Sequence, residues 1–187
     1  MIAIDINITG LDAELARLDR IGIGLTNLSP FFKVAGTEMM KSSQKNFLSG
    51  GRPAWPSLSQ VTLLLRAQKK KSFRTHKRGK NKGRLTKKTF NVLIAGANPL
   101  RDTGHLMASI GNPAKGGIFR IEADSITIGT AVKYAEAHQQ GVAKTKGFIK
   151  GKKIPKREFL KVQPEDETNI LRHAREFVDR VIRRNKN

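Results

Sequence analysis

Four histidines, His76, His105, His138 and His173, are the side chains of this sequence best placed for chemistry near neutral pH. None stands at the HxH or HExxH spacing that would bring two imidazoles to one metal ion. His76 lies among lysines and arginines, whose charge opposes a further cation. His138 is two residues from Glu136 on a short helical pattern, so the two point to different faces. A nuclease's magnesium ion would need Asp102, Glu122, Asp124, Glu136 and Glu158 to converge, and nothing in their spacing brings them together. No GxSxG turn, GxxxxGK[ST] phosphate loop or dinucleotide-binding glycine pattern occurs. The 187 residues include no cysteine, which excludes disulfides, Cys-ligated zinc, iron–sulfur clusters and thiol nucleophiles together. The expectation is a protein that is not an enzyme and uses no cofactor or metal.

What remains is electrostatics. Lys and Arg number 36 against 15 Asp and Glu, a net charge of +21. No carboxylate occurs between Glu38 and Asp102, and residues 66–88, RAQKKKSFRTHKRGKNKGRLTKK, hold twelve of the cations. Without those twelve the net charge falls from +21 to +9. Only Phe73 and Leu85 are bulky and apolar there, too little buried surface to offset the entropy of ordering the segment. A basic loop insertion, mobile or paired as a weak hairpin turning near Gly79 and Gly83, is predicted. Its candidate contacts to a polyanion are Lys69, Lys70, Lys71, Arg74, Lys77, Arg78, Lys80, Lys82, Arg84, Lys87 and Lys88. The polyanion is either nucleic-acid phosphate or an acidic protein surface. Phe73 and His76 are too scattered to form a stacking platform, so base-specific reading is not expected.

The elements that must carry this block read as one domain, residues 1–187, with 38% hydrophobic residues for one modest core. Ile2, Ile4, Ile6 and Ile8 alternate along a half-buried strand at 2–8. Leu11, Leu15, Leu18, Leu25 and Leu28 then follow a helical period, weakened by Gly22 and Gly24. Ser29 as N-cap and Pro30 at the first position open a second helix that stops at Gly50-Gly51. A turn-rich segment follows, pinned by Trp55, and Ser57 or Ser59 caps a short helix through 61–65. Residues 90–94 fit a strand or a buried helical piece equally well. Asp102 or Thr103 caps a short helix bearing Leu106, Met107 and Ile110. Residues 118–122 and 125–130 alternate as a hairpin around Ala123-Asp124. Residues 134–141 form a short helix closed by Gly141, 142–153 a second basic loop, and 154–160 an extended run in which Pro155 favours an edge.

The C-terminal pattern is the most regular. Residues 164–185 read as an amphipathic helix with Glu165, Asp166 and Glu167 in the first turn and Arg180, Arg183 and Arg184 near the end, as the macrodipole prefers. Ile170, Leu171, Ala174, Phe177, Val178, Val181 and Ile182 make an unbroken apolar stripe, whose partner is either the domain's own sheet or a neighbouring subunit. The predicted fold class is α+β: a small, mostly antiparallel sheet packed by amphipathic helices, with long basic loops. No apolar run approaches the roughly 18 residues of a membrane span, and the N-terminus lacks the build of a signal peptide. A soluble chain with no membrane partner is expected.

Four phrases in order carry a resemblance: GRPAWPSLS at 51–59 with Thr62, LRDTGHLMASI at 100–110, IGT at 128–130 with YAEAHQQG at 134–141, and IPKREFL at 154–160. Together they resemble the phage virion morphogenesis family, the tail completion proteins of Mu-like and related tailed phages, over roughly residues 11–160. The long basic block at 66–88 departs from that pattern. The resemblance implies a structural protein of the virion's head–tail junction, or neck, made in the host cytoplasm and assembling as a homo-oligomeric ring, typically sixfold, around the DNA path. It implies contact with the tail tube or tail terminator and with head connector proteins. The basic block then faces either packaged double-stranded DNA or acidic faces of adjacent rings. It brings no catalytic residues. Gly104 and Gly141 become turn or cap glycines, and Trp55 and Phe159 packing anchors. The competing reading from charge alone is a monomeric, non-specific nucleic-acid-binding protein.

Overall fold

The computed structural model describes residues 1–5, 11–19, 27–69, 76–82, 84, 86, 87, 89–91, 97–143 and 153–184. In chain order the elements are β1 (Ile2–Asp5), α1 (Leu11–Asp19), α2 (Ser29–Ser49), α3 (Gln60–Lys69), α4 (His105–Ser109), a 3-10 turn (Pro113–Lys115), β2 (Gly117–Ile121), β3 (Ile126–Thr130), α5 (Ala135–Gln140) and α6 (Pro164–Arg184). The class is α+β, as predicted.

Helix α2 is the centre of the packing because it is apolar around more than one face. Phe31, Phe32, Ala35, Gly36, Met39 and Phe47 are all buried along it. One side crosses the sheet, where Gly36 comes so close that a Cβ there would sit 2.2 Å from Ile126 Cδ1 and 2.9 Å from Phe119 Cε2. The sheet is antiparallel in the order β1-β3-β2, with Ile4 opposite Ile128 and Phe119 opposite Ile128 on the other edge. Ile126 and Ile128 on the central strand are fully buried, each worth about 1.5–3 kcal/mol of hydrophobic burial. The hairpin turns where expected, through Glu122 N donating to Ser125 O at 2.9 Å.

Helix α6 packs chiefly on α2 and α1. Within the chain, the partner observed for its stripe is α2, with α1, in place of the domain's own sheet. With α2 already lying on the sheet, α6 forms a third layer, burying Ile170, Ala174 and Val178. Arg17–Asp179 (3.2 Å) and Arg175–Glu14 (3.3 Å) ion pairs join α1 to α6 at the surface.

Two caps differ in detail from their sequence reading. Ser29 is the first residue of α2, and its N–H donates to Asn27 Oδ1 at 2.8 Å, so the side-chain oxygen comes from Asn27. The Ser29 hydroxyl instead reaches Glu122 O in the hairpin turn at 3.3 Å. Before α4, Thr103 Oγ1 accepts from His105 N at 3.3 Å, while Asp102 is drawn to Arg66. Residues 6–8 of the first predicted strand, 20–26 of the following helix and 92–94 of the ambiguous run lie outside the described residues. Asn91 belongs to a helical turn.

Candidate functional site

Ser59 opens α3 by accepting a hydrogen bond from Thr62 N at 3.2 Å, one of the two caps predicted for it. The helix does not stop at Leu65. Arg66, Ala67, Gln68 and Lys69 are good helix formers without a break, so the first four residues of the expected basic loop continue α3. Arg66 turns inward: its guanidinium donates to Asn98 O at 3.0 Å and Arg101 O at 3.4 Å and lies 3.5 Å from Asp102. This cation braces the chain where it returns from the basic segment.

Beyond α3, the side chain of Lys69 and all of Lys70, Lys71, Arg74 and Lys88 lie outside the described residues. Residues 76–82 and 84 close on themselves. His76 N donates to Arg84 O at 2.9 Å, Lys82 N to Gly79 O at 3.0 Å and Arg84 N to Asn81 O at 2.9 Å. Gly79 takes φ +79°, a left-handed conformation that glycine adopts without the usual steric cost, so the turn lies near one of its two predicted positions. Lys77, Arg78, Lys80, Lys82 and Arg84 project from this turn into solvent, and Lys87 follows them. None of these six forms an ion pair among the described residues. Thr86 then starts a helical turn, its Oγ1 accepting from Thr89 N at 3.3 Å and its carbonyl from Phe90 N at 3.0 Å. The result is a concentration of uncompensated positive potential. Such a concentration of exposed cations is what attracts a polyanion through counterion exchange.

The histidines and carboxylates remain apart. Among the described residues no three His, Asp or Glu side chains come together to hold a metal ion. A cleft of about 260 Å³ brings Asp102, His105, Tyr134 and His138 near Arg66. Within it Asp102 is paired with Arg66, and His138 Nδ1 is buried without a hydrogen-bond partner among the described residues. Burial pushes the His138 imidazole below its ordinary value of 6.5, and the nearby Arg157 charge adds to the effect. A hydrogen bond from Lys156 holds the Glu158 carboxylate below the usual carboxylate range.

The recurring phrases meet in a second cluster. The Trp55 ring, set edge-on to Phe47, donates through Nε1 to Glu158 O at 3.2 Å. The buried Arg157 guanidinium ties the last extended segment to the Pro56 carbonyl at 2.8 and 3.0 Å and to Ser57 O at 3.1 Å. Gln139 grips the same segment from α5, accepting from Phe159 N and Leu160 N and donating to Leu160 O at 2.6 Å. Ser43 and Asn46 on α2 both donate to Phe159 O, and the Ser109 hydroxyl meets Thr130 Oγ1 at 2.8 Å. A further lock, missed in the sequence, joins Ser42, Asp166 and Arg52. The Ser42 hydroxyl donates to Asp166 Oδ2 at 2.6 Å and accepts from Arg52 Nη2 at 2.7 Å, and Arg52 also pairs with Glu165. Its signal was the run of polar residues inside α2's apolar stripe.

A model of the phage virion morphogenesis family matches residues 6–179. The chain belongs to that family. Mu-like prophage FluMu G protein 2 of Haemophilus influenzae is 26% identical over 181 residues, which cover 96% of this chain and 99% of the relative. No solved structure matches. All four phrases fall inside the matched span, and a role in phage virion morphogenesis follows from the membership.

Proposed function

We propose that this chain is a structural, non-enzymatic tail completion or neck protein at the phage head–tail junction. It assembles there as a ring, sixfold as the family resemblance implies, around the DNA path. The observation that carries the reading is the closed cationic turn at 76–84, held out from an anchored domain in a member of a virion morphogenesis family. A ring around a duplex needs a rigid subunit and a sequence-blind contact to phosphate, and the two clusters described above supply them. On this reading Lys77, Arg78, Lys80, Lys82 and Arg84, together with Lys69, Lys70, Lys71, Arg74, Lys87 and Lys88, face packaged double-stranded DNA. The tail tube or tail terminator and the head connector are the neighbouring proteins. Inactivating the gene in an inducible lysogen and imaging the lysate by electron microscopy tests the placement: unjoined heads and tails are expected, and normally joined particles refute it.

The net charge of +21 favours one other reading, a monomeric non-specific nucleic-acid-binding protein. Sedimentation separates the two, because the ring reading requires a discrete closed oligomer, alone or templated by tail or connector proteins, and this one a monomer at every concentration.

A further inference from the structure

Large apolar side chains are expected inside, yet three of them crowd one turn of α3 on the outside: Val61 is 63% exposed, Leu65 56% and Leu64 36%. The spacing i, i+3, i+4 puts them on one face as a ridge, while Leu63 on the other face is buried. The ridge turn, Gln60 to Leu65, carries no charge, and Arg66 after it is spent on Asn98, Arg101 and Asp102. A concave apolar feature exists elsewhere. Between the start of α2 and the end of α6 runs a groove of about 170 Å³ lined by Pro30, Phe31, Val34 and Phe177, with Arg180 and Arg184 also lining it. Val34 is 40% exposed there.

The groove and the loop that leads into α3 are attached to opposite ends of the central helix. The loop that leads into α3 is fastened by Trp55 to Phe47, whereas the groove begins at Phe31. Phe47 lies sixteen residue steps along the helix from Phe31, about 24 Å at 1.5 Å per residue. A convex apolar patch toward one end and a concave one at the other is the arrangement that joins copies head to tail. We propose that the α3 ridge of one copy seats in the α2/α6 groove of the next, so that the occupant of the groove is a second copy of this chain. The inference rests on the ring reading and names the surfaces that would build it. It also carries a signature of its own. The contact is apolar but lies between two strongly basic molecules, so screening their repulsion strengthens it, and self-association rises with salt. Copies bridged by a bound polyanion would come apart instead.

The test uses the full-length chain, freed of nucleic acid, in analytical ultracentrifugation at low and high salt. Leu65→Lys places a cation on the ridge and Val34→Lys one in the groove. Both sites are exposed and helical, so circular dichroism should match the parent. Each variant alone is expected to self-associate at least about 30-fold more weakly, because an unpaired charge cannot be buried in the contact. Mixed together they are expected to form a one-to-one heterodimer and nothing larger, since each retains the half the other lacks. Parent oligomers that ignore both substitutions overturn the assignment of these faces and leave the ring standing. Variants that stay apart on mixing, or a parent whose association falls with salt, also overturn the assignment. A parent that is monomeric at every concentration and salt overturns the ridge-in-groove contact, and one that stays monomeric with tail or connector proteins present overturns the ring reading itself.

Discussion

Replacing Lys77, Arg78, Lys80, Lys82 and Arg84 by serine removes five exposed cations from one closed turn and lowers the net charge from +21 to +16. None of the five is engaged in an ion pair among the described residues, so their loss leaves no carboxylate there without its partner. If each neutralises one phosphate of a duplex, the logarithm of the binding constant depends on the logarithm of salt concentration with a slope of about −0.9 per contact. Five contacts then account for a slope of about −4.5, which is a roughly 500-fold loss of affinity between about 50 and 200 mM salt. Fluorescence anisotropy of a labelled duplex, titrated at several salt concentrations, reads the slope for parent and variant. The variant's slope is expected to be shallower by about 4.5, with the same change on duplexes of unrelated sequence, since contacts to phosphate carry no sequence information. An unchanged slope in a variant with parental circular dichroism refutes the phosphate contact and assigns the turn to an acidic protein surface.

Other expectations concern the scaffold. Asp166→Ala strips acceptors from the Ser42 hydroxyl and Gln163 N, both under 3 Å away, and should cost about 2–3 kcal/mol in urea unfolding. A loss below about 0.5 kcal/mol would show that water replaces the carboxylate at no cost. His138 is held neutral by burial, its pKa lowered below 6.5. The stability this contributes is complete above 6.5 and lost as the pH falls through the lowered value, so the thermal midpoint should drop between about pH 7 and pH 5.5, and His138→Gln should flatten that drop. Arg157→Met removes the neighbouring charge and three hydrogen bonds to Pro56 and Ser57. It should destabilise the chain and raise the His138 pKa, followed by the imidazole proton shifts in NMR.

Periodicity carried most of the fold into the sequence. The alternation of residues 118–122 and 125–130 gave the hairpin, and the stripe from Ile170 to Ile182 gave α6, because each pattern depends only on which side chains must leave water. What covers a stripe is a different matter. The partner of α6 is α2, and only the three-dimensional crossing at Gly36, where Ile126 and Phe119 close in, reveals that α2 has already taken the sheet. Cap positions slipped by one or two residues for a similar reason. Asn27, Ser29, Asp102 and Thr103 all carry side-chain oxygens, and the choice among them was made by distant groups such as Glu122 and Arg66. Of the candidate site, the concentration of cations was plain from composition, and Gly79 marked its turn. Arg66 was not separable from the other cations by type. Only its reach to Asn98 and Asp102 distinguishes a brace from a contact.

Charge also decides how such a protein can hold together. Copies bearing +21 repel one another, so any assembly must draw its energy from apolar burial, from neutralisation by a polyanion, or from both. The α3 ridge offers the first and the turn at 76–84 the second, and salt moves them in opposite directions. Self-contacts gain as repulsion is screened, while phosphate contacts weaken as released counterions lose their entropic advantage. A duplex threaded through a ring would relieve the repulsion that opposes closure, so binding DNA and closing the ring should each favour the other. By linkage, the same factor by which DNA tightens self-association must appear as tighter DNA binding by the oligomer than by the monomer. Equal duplex affinity for the oligomer and for the monomeric Leu65→Lys variant at one salt concentration would break that coupling.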